Sequence, residues 1–161
     1  MRTALAEVFD WGEIQGITRA AIGEDRWFRA YDRKGAEAPI TDAGGWATVL
    51  YKPHGAVAPA GNFLLADSDY VEVLTEIDIQ GPIPGAVRLR RQGRGFLFLG
   101  CRFHDQLLRT YARQIMKRSR GPHFAVMGDD VPTRNEIRFL RGQGIIPVAG
   151  GLADFVTELV A

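Results

Sequence analysis

Residues 95–160 repeat one pattern three times: a short apolar run, then a stretch with helical spacing. "GFLFLG" (95–100) leads into "FHDQLLRTYARQIMKRS", "HFAVMG" (123–128) into "PTRNEIRFLRGQG", and "IIPV" (145–148) into "LADFVTELVA". Apolar runs of four to six residues, bounded by glycine, are too short for helices and read as buried strands. Strands that alternate with helices are joined by crossovers and therefore run parallel. Upstream, "WATVLYK" (46–52) is a further short strand, so the pattern extends back to residue 46. The order predicts an α/β fold of the three-layer, Rossmann-like kind with a mostly parallel sheet.

The N-terminal third reads differently. "TALAEVF" and "WGEIQGITRAAIG" place Leu5, Val8 and Phe9, then Ile14, Ile17 and Ala21, at helical intervals, which predicts two helices stopping at Gly23. "RWFRAYD" alternates like a strand, and "RKGAEAPITDAGG" has loop chemistry. "FLLA" (63–66) predicts a short strand, and a helix through "DYVEVLTEI" would be capped by Asp67 or Ser68. Pro84 suits the first turn of another helix. A chain of 161 residues supports one core, so residues 1–161 are expected to form a single domain, with 1–45 its helical, variable part and 46–161 its strand–helix part.

Charge and cysteine usage narrow the function. The net charge of +1 argues against nucleic acid and membrane partners, and no apolar run has the length of a signal peptide or a membrane span. Cys101 is the single cysteine, so an internal disulfide and a four-thiolate zinc site are excluded. His54, His104 and His123 are dispersed without ligand spacing, and no metal is expected. A reducing, cytoplasmic setting fits.

In parallel α/β sheets ligands lie beyond the carboxyl ends of the strands. Here those ends are Lys52–Gly55, Gly100–Arg102, Gly128–Asp130 and Ala149–Gly151. They collect glycines, which let a ligand approach backbone closely, together with His54 and Cys101. Histidine is the side chain whose ordinary pKa suits proton transfer near neutrality. Cys101 has no local histidine to activate it and reads better as a small buried residue. Asp105 suits a helix N-terminus. Arg102 suits a phosphate or open solvent, the group Arg88, Arg90, Arg91 and Arg94 suits an anion or a solvated helix face, and Asp129–Asp130 suits the cap of the helix that follows.

Three segments in order resemble the sirtuin-like family of NAD-handling domains, in particular its bacterial branch without a zinc module. "VLYKPHGAV" is similar to that branch's lysine-x-histidine-glycine signature, and "NFLLADSDYVEVL" to its segment ending in aspartate-tyrosine before a helix. "GFLFLGCRFHDQLLRTYARQI" resembles its third signature, with Phe98, Leu99, Gly100, Asp105, Leu108 and Arg109 at matching places. "GIIPVAGGLADFVTELV" is similar to the family's last strand and helix, so the resemblance covers residues 47–161.

The resemblance implies NAD as cofactor. It implies that His54 acts as general base toward a nicotinamide-ribose hydroxyl, and that Gly55, Gly100, Cys101, Arg102 and Asp105 border the cofactor. The chain also departs from the family. No glycine-rich phosphate loop stands at a first strand–helix turn, neither Asn62 nor Asn135 sits in an asparagine-x-aspartate motif, and Arg102 replaces a small serine. These departures predict a domain reduced at its N-terminal side, acting as a regulatory or interaction protein with residual NAD or ADP-ribose binding. The alternative is an NAD hydrolase or deacylase. A sheet lacking its first strands exposes an edge, which predicts a protein partner or a homodimer.

Overall fold

A computed structural model describes residues 2–5, 10–17, 27–71, 83–128 and 131–160. The chain is mixed α/β and divides into two compact units, residues 1–89 and 90–161.

The first unit contains a short helix α1 (Arg2–Leu5) and a four-stranded sheet of order β3-β2-β1-β4. Its strands are β1 (Trp11–Gly16), β2 (Phe28–Asp32), β3 (Glu37–Ala38) and β4 (Thr48–Lys52). A 3-10 turn, Ile40–Gly44, lies between β3 and β4. β1 is the correction here: "WGEIQG" is a central strand, not a helix, and every residue in it is buried. It pairs antiparallel with β2 and parallel with β4, where Gln15 stands opposite Lys52. Three apolar residues at helical intervals misled, because the operative period is two. Ile14 joins Ala30 and Ala43 in the core, with Trp46, Val49 and Tyr51 packed around it. Glu13 and Gln15 occupy the other face.

After β4 the chain turns into a small hairpin, β5 (Gly55–Ala56) with β6 (Asn62–Phe63). Residues 67–71 are helical, and the rest of the helix expected through "DYVEVLTEI" lies outside the described residues. The group that reaches back to its entry is Asp69, not Asp67 or Ser68: its carboxylate accepts the N–H groups of Leu65 (3.2 Å) and Ala66 (3.1 Å). Helix α2 (Gly85–Arg91) follows Pro84 as expected.

The second unit holds β7 (Leu97–Leu99), α3 (Gln106–Ile115), β8 (His123–Val126), α4 (Arg134–Gly142), β9 (Ile145–Val148) and α5 (Leu152–Val160). β7, β8 and β9 form a parallel sheet in that order. Phe98, Ala125 and Ile145 on one face meet Phe103, Ala112, Met116 and Leu140 in a single core. "GFLFLG" was expected to be buried on both faces. Instead Leu97 and Leu99 are 42% and 40% exposed, because β7 is an edge strand whose core contacts come from Phe98. Among the described residues no helix is long and apolar enough to cross a membrane.

Candidate functional site

The candidate residues fall in both units. His54 and Gly55 belong to the turn that ends β4 and opens β5 in the first unit. Gly55 has φ +75°, and a Cβ there would stand 2.1 Å from the Asn62 carbonyl oxygen. Only glycine lets the hairpin strands close at this point. The His54 carbonyl accepts from Leu64 N–H at 3.0 Å. Its ring meets Tyr70 edge-on, with centroids 4.8 Å apart. Burial pushes the imidazole below its usual pKa and favours the neutral form, the form a general base needs.

Beside this turn sits a group that sequence reading missed. Glu13 is fully buried, and its carboxylate receives Arg2, Gln15 and Lys52, the last through an Nζ–Oε1 contact of 2.8 Å. Burial alone would raise this carboxyl. Hydrogen bonds from Lys52, Gln15 and Arg2, together with the Lys52 charge, overrule it and hold the group below the usual carboxylate range. Gln15 also donates to the Ala58 carbonyl at 2.9 Å, while its own Oε1 has no partner among the described residues. The period-two spacing of Glu13 and Gln15 was the available signal.

Gly100, Cys101, Arg102 and Asp105 all lie in the connection from β7 to α3 in the second unit. Gly100 has φ +64°, and its N–H donates to the Val126 carbonyl at 2.8 Å. Cys101 is half-buried, its Sγ 3.7 Å from the Leu99 carbonyl. Burial pushes its thiol up from 9.0, away from a reactive thiolate. Arg102 grips Glu136 with two donors, Nε to Oε1 at 2.9 Å and Nη2 to Oε2 at 3.1 Å. Its guanidinium is thus engaged by a carboxylate, with the side chain still 27% exposed. Asp105 is the N-cap of α3 and accepts from Leu107 N–H. Arg109 donates to the Phe103 and His104 carbonyls at 2.7 and 2.8 Å. The polar side chains of this signature thus hold their own loop in place.

Glu136 anchors that loop. It is fully buried, takes the Phe103 N–H at 3.1 Å, and forms a capping box with Thr133. Thr133, not Asp129–Asp130, therefore caps α4; the two aspartates lie outside the described residues. The Arg102 guanidinium leads the causes that bring the Glu136 carboxyl down to about 2, against the opposing effect of burial. The spacing Thr133-x-x-Glu136 is visible in the sequence as a capping signature.

All three parallel strands end on glycine in the left-handed region: Gly100 after β7, Gly128 (φ +82°) after β8 and Gly150 (φ +122°) after β9. Among the described residues, a Cβ on Gly128 or Gly150 would meet nothing within 4 Å. The shared strand direction sets these turns along one edge, the edge beyond which ligands lie in parallel α/β sheets. Among the described residues no cluster of three or more histidine, cysteine or carboxylate groups is arranged for a metal.

A family model described as a SIR2-like domain matches residues 15–148 of the chain. No curated protein and no solved structure matches it.

Proposed function

The chain belongs to the SIR2-like domain family, and from that premise we propose that it is a reduced domain of this family. In this reading it works as a regulatory or interaction protein and keeps a site for NAD or a related nucleotide at the glycine turns after β7, β8 and β9. The observation that carries the reading is the use of Arg102, Asp105 and Arg109 in internal bonds, beside open space at Gly128 and Gly150. The turns fit a nucleotide through backbone amides, with Gly100, Cys101 and Arg102 as its border. NAD would bring a scissile nicotinamide bond; this chain's own residues contribute binding and a loop held rigid by Glu136.

The family match runs through both units, which supports reading residues 1–161 as one reduced, three-layer Rossmann-like domain of the zinc-less bacterial branch. The single cysteine supports a reducing, cytoplasmic setting. Leu97, Leu99 and Ile146, 40–50% exposed on one face of the parallel sheet, support a homodimer or a protein partner. A second reading, an NAD-consuming enzyme with His54 as base and Gly55 beside it, draws on the neutral imidazole.

Calorimetric titration of NAD and ADP-ribose into the intact chain, with chromatography of the products, separates these readings. The proposal expects both ligands to bind and no nicotinamide to appear. Nicotinamide release that disappears in His54→Ala would establish the enzyme instead. Absence of binding at millimolar ligand overturns both.

A further inference from the structure

The net charge of +1 conceals a strong segregation. Residues 1–89 carry eight cationic side chains against thirteen carboxylates, and residues 90–161 carry twelve against six, so the two units stand at −5 and +6. Within the second unit the charges separate again. The carboxylates of Asp105 and Glu136 serve helix N-termini at the edge where the strands end. At the opposite edge, where the strands begin, three loops come together. Gly93 N–H donates to the Arg118 carbonyl and Arg120 N–H to the Arg94 carbonyl, each at 3.1 Å, which fastens the loop before β7 to the loop before β8. The pairing of His123 with Ile145 sets the loop before β9 beside them.

These loops present Arg94, Lys117, Arg118, Arg120 and Arg141, all exposed, on a frame of glycine and glutamine. Residues 92–95, 117–122 and 141–144 contribute no exposed large apolar side chain and no carboxylate. Among the unit's described acids, Glu158 near the end of α5 is the one that chain order directs toward this edge. Helix C-termini attract some positive charge, but two helix ends need far less than five cations. Arg118 is also held at φ +66°, a conformation that costs a non-glycine residue energy.

From this placement we infer that the strand-start edge of the second unit binds the phosphodiester backbone of a nucleic acid, independently of the nucleotide reading above. A protein interface draws its affinity from buried aromatic and aliphatic anchors, and these three loops carry none. A polyanion needs none, since neutralised phosphates release counterions and supply the binding free energy. Guanidinium groups pair with phosphate oxygens through two donors, and the glycines between them let the backbone come close. The contacts carry no base readout, so binding is indifferent to sequence.

The test is fluorescence anisotropy of labelled DNA and RNA of about 20 nucleotides, single-stranded and duplex, with the full chain over a salt series from about 50 mM. We expect binding whose logarithm falls linearly with the logarithm of salt. The triple variant Arg94→Gln, Arg118→Gln, Arg120→Gln should weaken it at least about tenfold and flatten the slope by two to three units, at roughly 0.9 per phosphate contact. Arg134→Gln, at the other end of α4, should bind like the parent. Arg118→Gly guards against a folding artefact: it removes strain and charge together, so thermal stability should hold while affinity falls. No binding at low salt, or an undiminished affinity in the triple variant, overturns the inference. Displacement of the DNA by polyglutamate at equal charge concentration would also overturn it and assign the edge to an acidic polypeptide.

Discussion

Glu13 and Glu136 are both fully buried, one in each unit, and they are neutralised in opposite ways. Glu136 combines its own helix cap with a loop 33 to 34 residues away, which supplies one N–H and a single arginine that takes both oxygens. Glu13 is held by three side chains: Arg2 from α1, Gln15 from its own strand and Lys52 from β4. The first arrangement is a clasp that fixes the loop from β7 to α3. The second ties α1 to β1 and β4, and its Lys52 lies two residues before His54. Burying a carboxylate is tolerable only when its lone pairs are met, and one site does so with a single arginine and backbone groups, the other with three separate side chains.

The comparison can be broken most forcefully at the clasp. Arg102→Ala leaves Glu136 buried without its guanidinium, and removing one partner of a buried pair typically costs about 3–5 kcal/mol. Urea denaturation should show this loss; a change within the scatter of surface mutants would mean that the loop does not depend on the pair.

Acid titration sharpens the same contrast. Glu136 sits near 2 in the folded chain against its usual 4.5, so its stabilising contribution is complete above about 4.5 and is lost as the pH falls toward 2. Glu13 is shifted in the same direction and loses its contribution on the same side of its ordinary value. The parent chain should therefore weaken steadily through this window when followed by circular dichroism. Arg102→Ala should weaken less steeply there, since its folded Glu136 no longer binds protons so reluctantly.

Lys52→Met is the milder break. Glu13 keeps Arg2 and Gln15, so the loss should be that of one charged hydrogen bond, about 1.5–3 kcal/mol. Because Lys52 lies two residues before His54, the His54 titration followed by proton resonance would show whether the cluster also sets the imidazole. Smallest is Thr133→Ala, which removes half of the capping box and should cost about 1 kcal/mol. An effect as large as that of Arg102→Ala would place the weight of the clasp on the cap instead.

Legibility followed the range of the interactions. The strands at 97–99, 123–126 and 145–148 and the helices between them were readable, because short apolar runs, amphipathic spacing and glycine stops are all local. Asp105 as a helix cap was readable for the same reason, and Thr133 was available through its spacing to Glu136. The strand at 11–16 was misread because Ile14 and Ile17 have helical spacing, and the choice of strand belongs to the partner strands 28–32 and 48–52. The pairing of Arg102 with Glu136 was not readable, since nothing near Arg102 in sequence announces Glu136.

By itself, then, the sequence determined the parallel strand–helix order of residues 95–160, the glycines at the strand ends and the likeness carried by "VLYKPHGAV" and "GFLFLGCRFHDQLLRTYARQI". Only the tertiary structure decided that residues 11–16 form a central strand, that Glu13 and Glu136 are buried and matched, and that Leu97 and Leu99 stay exposed. The reason is physical. Backbone preference and periodicity act over a few neighbouring residues, whereas strand partners, the lone pairs of a buried carboxylate and the cover over a strand face come from groups 30 or more residues away in the Arg102–Glu136 pair, and from three separate segments at Glu13.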